Sequence, residues 1–212
     1  HATYSMPSFR EGYCLDDNAR ALILTVLLEE LGEDTAQARR VGDAYASFVD
    51  YAFDMASGTW RNFMGFDRRW LDKVGSEDSI GRALWALGVC VGRSKRRALQ
   101  YWAAHLFGPA TKAVLKTSSP RAWAFALMGI HEYLRRLSGD RLADQARTEL
   151  TERLIALYHQ CAQEDWPWFE DTVSYCNARL PHALILSGRW ASCKEAAEIG
   201  IRSLRWLCEV QR

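Results

Sequence analysis

Proline is scarce in this chain, five in 212 residues, and apolar/polar alternation bounded by turn residues is hard to find anywhere. A sandwich or barrel of short strands is therefore not expected, and a mainly helical protein is. An excess of one charge is also lacking. Lys and Arg number 27 against 26 Asp and Glu, a net charge of +1, so no strong field exists to steer a polyanion or an anionic membrane surface. Neither nucleic acid nor membrane is an expected partner. The longest apolar stretch, residues 21 to 28, is far below the roughly 20 residues that span a bilayer. Cys14, Cys90, Cys161, Cys176, Cys193 and Cys208 contain no CxxC pair, and a chain of this length needs no disulfide staples, so a soluble protein in a reducing, cytoplasmic setting is expected. The opening residues hold no basic n-region and no apolar h-region, so no signal peptide is expected. The chain opens His1-Ala2-Thr3-Tyr4 without Met and runs to Arg212 without a helix stop; a single domain over 1–212, cut from a longer chain at both ends, is the expectation.

Several chemistries lack their first requirement. There is no G-x-S-x-G elbow, no G-x-x-x-x-G-K-[ST] loop and no G-x-G-x-x-G turn. His131-Glu132 starts a string like HExxH, but position 135 is Arg, and no other metal-ligand spacing occurs. No metal or cofactor is expected. The one basic cluster, Arg93, Lys95, Arg96 and Arg97, reads as a solvated helix start.

What the sequence does have is an alternation of two kinds of helical segment. Residues 19 to 31, 80 to 91, 121 to 134 and 180 to 187 are apolar almost all the way round, which predicts helices enclosed by protein. Residues 35 to 56, 94 to 107, 141 to 161 and 190 to 208 are apolar on one side. In the first of these Val41, Tyr45, Phe48, Ala52 and Met55 recur at spacings of three and four, and in the last Trp190, Cys193, Ala197, Leu204 and Cys208 repeat the pattern; residues 94 to 107 are a weaker example. Buried helix followed by amphipathic helix, four times over, predicts αα-hairpins in two layers. Turns from inner to outer helix are short and carry Gly32, Gly92, Gly139 and Gly188, suited to helix ends. Connections into the inner helices (1 to 16, 57 to 77, 108 to 119 and 162 to 174) are longer. Because hairpins alternate direction, all four are expected on one rim, where binding chemistry usually resides.

Acidic pairs stand where these connections meet the inner helices: Asp16-Asp17, Glu77-Asp78 and Glu170-Asp171. Arg-Ala-Leu follows the first two at nearly equal spacing (Arg20, Arg82), and Asn177-Ala178-Arg179-Leu180 follows the third. Breaking a glycosidic bond needs one carboxyl to protonate the leaving oxygen and a second to activate water or attack, roughly 5 to 10 Å away. Sugars also call for aromatic platforms and planar hydrogen-bonding groups, which the same loops hold in Tyr4, Phe9, Tyr13, Trp60-Arg61-Asn62-Phe63, Phe66, Trp70 and Trp166-Pro167-Trp168-Phe169. Asp17, Asp78, Glu170 and Asp171 are thus the candidate catalytic carboxylates. Tyr13, Asp16, Asn18, Arg61, Asn62, Trp70, Glu77, Trp166, Trp168, Tyr175 and His182 are the candidate sugar-lining residues. A plainer account stays open for each: acids near a helix start cap free N–H groups, loop aromatics pin loops down, and the three arginines form ion pairs with acids of the same or a neighbouring inner helix.

Four strings carry a resemblance: Gly12-Tyr13-Cys14-x-Asp16-Asp17-Asn18-Ala19-Arg20-Ala21-Leu22, Phe63-Met64-x-Phe66-Asp67-Arg68-Arg69-Trp70-Leu71, Gly75-Ser76-Glu77-Asp78-Ser79-x-Gly81-Arg82-Ala83-Leu84-Trp85 and Trp166-x-Trp168-Phe169-Glu170-Asp171. Together they resemble a bacterial domain of the six-hairpin glycosidase-like class, found alone or C-terminal to GT-B glycosyltransferases. The resemblance implies an all-α fold, an (α/α)6 toroid of which about four hairpins lie in this chain, and carbohydrate metabolism. It implies a glycoside hydrolase or phosphorylase acting on an oligosaccharide. The alternative is a noncatalytic helical scaffold that binds glycan or docks on a GT-B glycosyltransferase module, and fold alone does not separate the two.

Overall fold

A computed structural model describes residues 2–4, 6–8, 11–33 and 35–211. Its described residues form eight α-helices, α1 (Leu15–Leu31), α2 (Ala36–Ala52), α3 (Glu77–Arg93), α4 (Arg97–Val114), α5 (Pro120–Leu134), α6 (Arg141–Cys161), α7 (Arg179–Trp190) and α8 (Lys194–Val210), and six two-residue strands, β1 (Ala2–Thr3), β2 (Met6–Pro7), β3 (Tyr13–Cys14), β4 (Phe53–Asp54), β5 (Thr59–Trp60) and β6 (Phe63–Met64). The protein is all-α. Local chemistry sets many of the boundaries. Thr35, Ser76, Ser119 and Asp140 each accept a hydrogen bond from the backbone N–H three residues on, so α2, α3, α5 and α6 start on side-chain caps. Gly32, at φ 82°, closes α1 in the left-handed region that favours glycine.

Helices α1, α3, α5 and α7 stand in a row, each packed on the next, and α2, α4, α6 and α8 back them as hairpin partners. One continuous apolar core runs through the row. The inner helices meet at small residues. A Cβ on Gly88 of α3 would lie 2.0 Å from the Gly129 carbonyl oxygen of α5, so the two backbones are in direct contact there. At the far rim, Arg93 bridges Glu30 of α1 and Glu132 of α5 at 2.9 and 2.8 Å. Arg96 pairs with Asp43 at 2.5 Å. This basic cluster is therefore a clamp on the C-terminal ends of the inner helices and not merely a solvated helix start. No described helix is long and apolar enough to cross a membrane.

Several sequence expectations need correction. Helix α4 runs through Gly108-Pro109 to Val114. Buried Leu106, Phe107, Ala110, Ala113 and Val114 outweigh the one backbone bond that proline removes, and the third connection shrinks to residues 115–119. Helix α2 ends at Ala52, because Phe53–Asp54 (β4) turns back on Thr59–Trp60 (β5) and buries Phe53 edge-on against Trp60 at 4.8 Å. Met55, expected inward, is 70% exposed. Gly92 and Gly188 lie within the last turns of α3 and α7, at close crossings with Glu132 and with Cys193 and Ala197, and not in the turns beyond them. Seams on α2 and α8 run through Gly42, Ala46 and Val49, and through Ala196, Gly200 and Ser203. That is one position off the larger apolar residues, because the partner helix approaches where side chains are small. Helix α1 stands at one end of the row, so Leu24 and Leu31 are 56% and 76% exposed and the helix is not enclosed on every side.

Candidate functional site

The first turns of α1 and α3 open side by side into a cleft of about 660 Å³, lined by Asp16, Asp17, Arg20, Glu77, Asp78 and Arg82 from the helices. Cys14, Asn62, Phe63, Ser76 and Tyr175 complete it from the connections. Two acidic pairs from different helices therefore share one mouth.

The second connection builds one wall. Asp72 accepts the backbone N–H groups of Asn62 (2.9 Å) and Phe63 (3.0 Å) and holds that segment in place. Phe63–Met64 (β6) then pairs antiparallel with Tyr13–Cys14 (β3), setting Cys14 opposite Phe63. Buried Asn62 accepts the Asp16 N–H at 3.3 Å and the Cys14 thiol at 3.4 Å, and so caps α1 from 46 residues away. Its Nδ2 has no hydrogen-bond partner among the described residues, which leaves a donor on the cleft wall for a ligand oxygen.

Every carboxylate of the cleft is already engaged. Asp16 lies 2.6 Å from Arg82 Nε and 3.2 Å from Arg20, and Arg20 also binds Asp17. Burial pushes the Asp16 carboxyl above its ordinary range, against the pull of Arg82 and Arg20. Glu77 accepts the backbone N–H groups of Ser118 (2.9 Å) and Ser119 (2.5 Å), tying α3 to the start of α5. Asp78 accepts the Ser119 hydroxyl at 3.1 Å and the Tyr175 hydroxyl at 2.5 Å. Burial and that bond push the Tyr175 phenol up to about 12.

Of the residues expected at the site, Asp16, Asp17, Asn62, Glu77, Asp78 and Tyr175 come together, and the others do not. Glu170 is held at 2.6 Å by Arg121, and Asp171 is exposed outside the cleft. Trp168, like Trp60, is 0% exposed. It packs 5.5 Å from Trp206 and offers a ligand no face, so its place is the core. Trp166 lies edge-on to Trp206 at 4.8 Å and donates its indole N–H to the Glu170 carbonyl. Tyr13 points to the other side of the β3–β6 ribbon, against Phe48 and Phe66. Trp70 packs on Phe48 and Tyr51, with Arg61 5.7 Å above its ring and paired to Asp54. Asn18 donates to the Cys14 carbonyl, a bond within the helix start. Tyr4 is exposed and away from the cleft, and Phe9 lies outside the described residues.

Sequence reasoning missed Arg121. It is the one charge in the apolar start of α5, and that isolation was the available signal. Its buried guanidinium donates to Glu170, to the Tyr175 carbonyl (2.7 Å), to Ser174 (2.6 Å) and to Asn177 (3.2 Å). The fourth connection is thereby pinned so that Tyr175 reaches Asp78.

His182 lies half-buried in a neighbouring hollow. Burial and nearby Arg179 hold its pKa below the ordinary 6.5, and burial does the same at His131. A depressed imidazole pKa means the unfolded chain takes up the proton first, so the contribution of both groups is fully present above pH 6.5 and is lost as pH falls through the lowered folded values. The expected results are imidazole NMR titration midpoints below 6.5 for both residues and a melting temperature that drops over that interval. The drop should shrink in the His131→Gln/His182→Gln double variant.

No protein-family model, curated protein or solved structure matches this chain.

Proposed function

We propose that this chain is a carbohydrate-active domain, part of an (α/α) toroid of the six-hairpin glycosidase-like kind, which takes an oligosaccharide into the cleft between α1 and α3. The observation that carries the reading is the shared mouth, where acids from two successive inner helices face a buried amide donor and a phenol. Neighbouring helix axes stand about 8–10 Å apart, so first-turn carboxyls of α1 and α3 suit the roughly 5–10 Å that glycosidic chemistry needs. Asp17 and Asp78 are the carboxylates proposed to meet the sugar. Asp16, held by Arg82 and Arg20, fixes both guanidinium groups at the cleft and does not itself meet the sugar. Asn62 Nδ2 donates to a sugar hydroxyl, and the hydroxyl donates in turn to a carboxylate. Six free cysteines suit a reducing, cytoplasmic setting.

One observation favours the noncatalytic reading, in which the domain holds glycan or serves a glycosyltransferase as a scaffold. Asp16 and Asp17 are bound by arginines, Glu77 serves a helix start, and the loop tryptophans Trp60 and Trp168 are in the core. Turnover and binding on a panel of linear gluco- and manno-oligosaccharides separate the two. If the domain is an enzyme, Asp17→Asn and Asp78→Asn each lower kcat by about 10²–10⁴. Binding without turnover in the wild type, weakened in the same variants, selects the scaffold. Oligosaccharides that neither bind nor react would remove the cleft from sugar chemistry.

A further inference from the structure

Each helix of the inner row carries an arginine near its start: Arg20, Arg82, Arg121 and Arg179. Three are neutralised, Arg20 and Arg82 by Asp16 and Asp17, and Arg121 by Glu170. Arg179 is the exception. Among the described residues no carboxylate pairs with it and its guanidinium makes no hydrogen bond; its contact is with the Trp85 ring, 4.7 Å from Cζ to the centroid. The acid that follows the repeat pattern, Glu170, has been taken by Arg121.

The setting of Arg179 is unusual for an arginine without a counter-charge. Trp85 stacks parallel to Phe125, with 5° between planes and 6.1 Å between centroids. Arg82 Cζ sits 4.0 Å over Phe125. Two cations are thus held by a pair of parallel rings, and Arg82 donates to the Cys176 thiol at 3.3 Å. Burial and the adjacent Arg82 both disfavour the charge on Arg179. A ring contact of this kind uses none of the guanidinium N–H groups as conventional donors, so they stay available for hydrogen bonds. Beside it is a hollow of about 390 Å³ that His182, Asn177 and Ser174 help to line, and Tyr175 lines both this hollow and the acidic cleft.

We propose that Arg179 forms an oxyanion subsite in this hollow, across Tyr175 from the cleft. A partly buried cation with no carboxylate partner is relieved by an anion with several acceptor oxygens, which such a fork binds well. The oxyanion is either inorganic phosphate or a carboxylate carried by a sugar. Its place next to the sugar rests on the cleft reading above; its existence does not.

Calorimetric titration of the whole chain with inorganic phosphate, and separately with glucuronate, at ionic strength fixed with chloride, tests this. One oxyanion is expected to bind, and Arg179→Met to weaken it about tenfold or more, the worth of a hydrogen-bonded charge. Arg179→Lys should recover part of the loss, because the charge stays while the fork is gone. Phosphate without glucuronate identifies a free-phosphate site, and the reverse identifies an acidic sugar. Neither anion binding above chloride, or both variants binding as the wild type does, overturns the proposal. Melting temperatures verify folding, and if Arg179→Met unfolds, the lysine variant decides alone. Phosphate binding in a protein that ignores every neutral oligosaccharide would sink the cleft reading and leave this subsite standing; sugar binding with no oxyanion effect does the opposite.

Discussion

Gly88→Ala is expected to cost about 3 kcal/mol or more of folding stability, at the upper end of overpacking effects. For a domain of this size that is about 6–12 °C in melting temperature. The added methyl would sit 2.0 Å from the Gly129 carbonyl oxygen and 2.7 Å from its Cα, both backbone atoms that no rotamer change moves. Relief requires α3 and α5 to separate along their whole contact, and Gly81 and Gly92 crowd α5 in the same way at Ala122 and Glu132. These are the two central helices of the inner row, so separation also loosens the seat of Glu77 on the start of α5. Gly139→Ala is the control. Nothing lies within 4 Å of the position its Cβ would take, and its stability should stay within about 0.5 kcal/mol of the wild type, as surface substitutions usually do. Thermal melts of the two variants side by side check the claim. A Gly88→Ala protein that melts with the wild type would mean the two backbones do not touch.

The second large effect is expected at Arg121. Replacing it with Met should cost about 3 kcal/mol, the low end for breaking a buried ion pair, because Glu170 is partly exposed and can recover water. Ser174, Asn177 and the Tyr175 carbonyl lose a donor in the same step. Urea denaturation measures the stability. A second readout tests the coupling to the cleft: with the fourth connection released, the Tyr175 hydroxyl leaves Asp78, and the phenol titrates below its value of about 12. Ultraviolet titration referenced to Tyr175→Phe isolates that group. Lost stability with Tyr175 unchanged would make Arg121 a core residue with no bearing on the cleft.

The helical architecture was legible because its signals are local. Apolar segments punctuated by Thr35, Ser76, Ser119 and Asp140 announce helices through periodicity and capping, and each lies within a few residues of the element it starts. Half of the candidate site was legible for a similar reason. Asp16-Asp17 and Glu77-Asp78 occupy the same place in a repeat, and a repeat that starts parallel helices carries its acids to one rim. Glu170 and Asp171 looked equivalent in sequence, but the competitor for Glu170, Arg121, lies 49 residues away. The loop tryptophans misled because exposure of an aromatic depends on what folds beneath it. Trp60 finds the Val49 carbonyl for its indole N–H and disappears into the core.

From its sequence alone this protein's helical class, its four hairpins and the gathering of two acidic pairs were determined, since each follows from short-range spacing and capping chemistry. Tertiary structure decided which charge pairs with which, which glycines bring backbones together, and that Arg179 is left with a ring in place of an acid. Those outcomes depend on side chains far apart in the chain competing for the same few ångströms, and no local pattern records who wins.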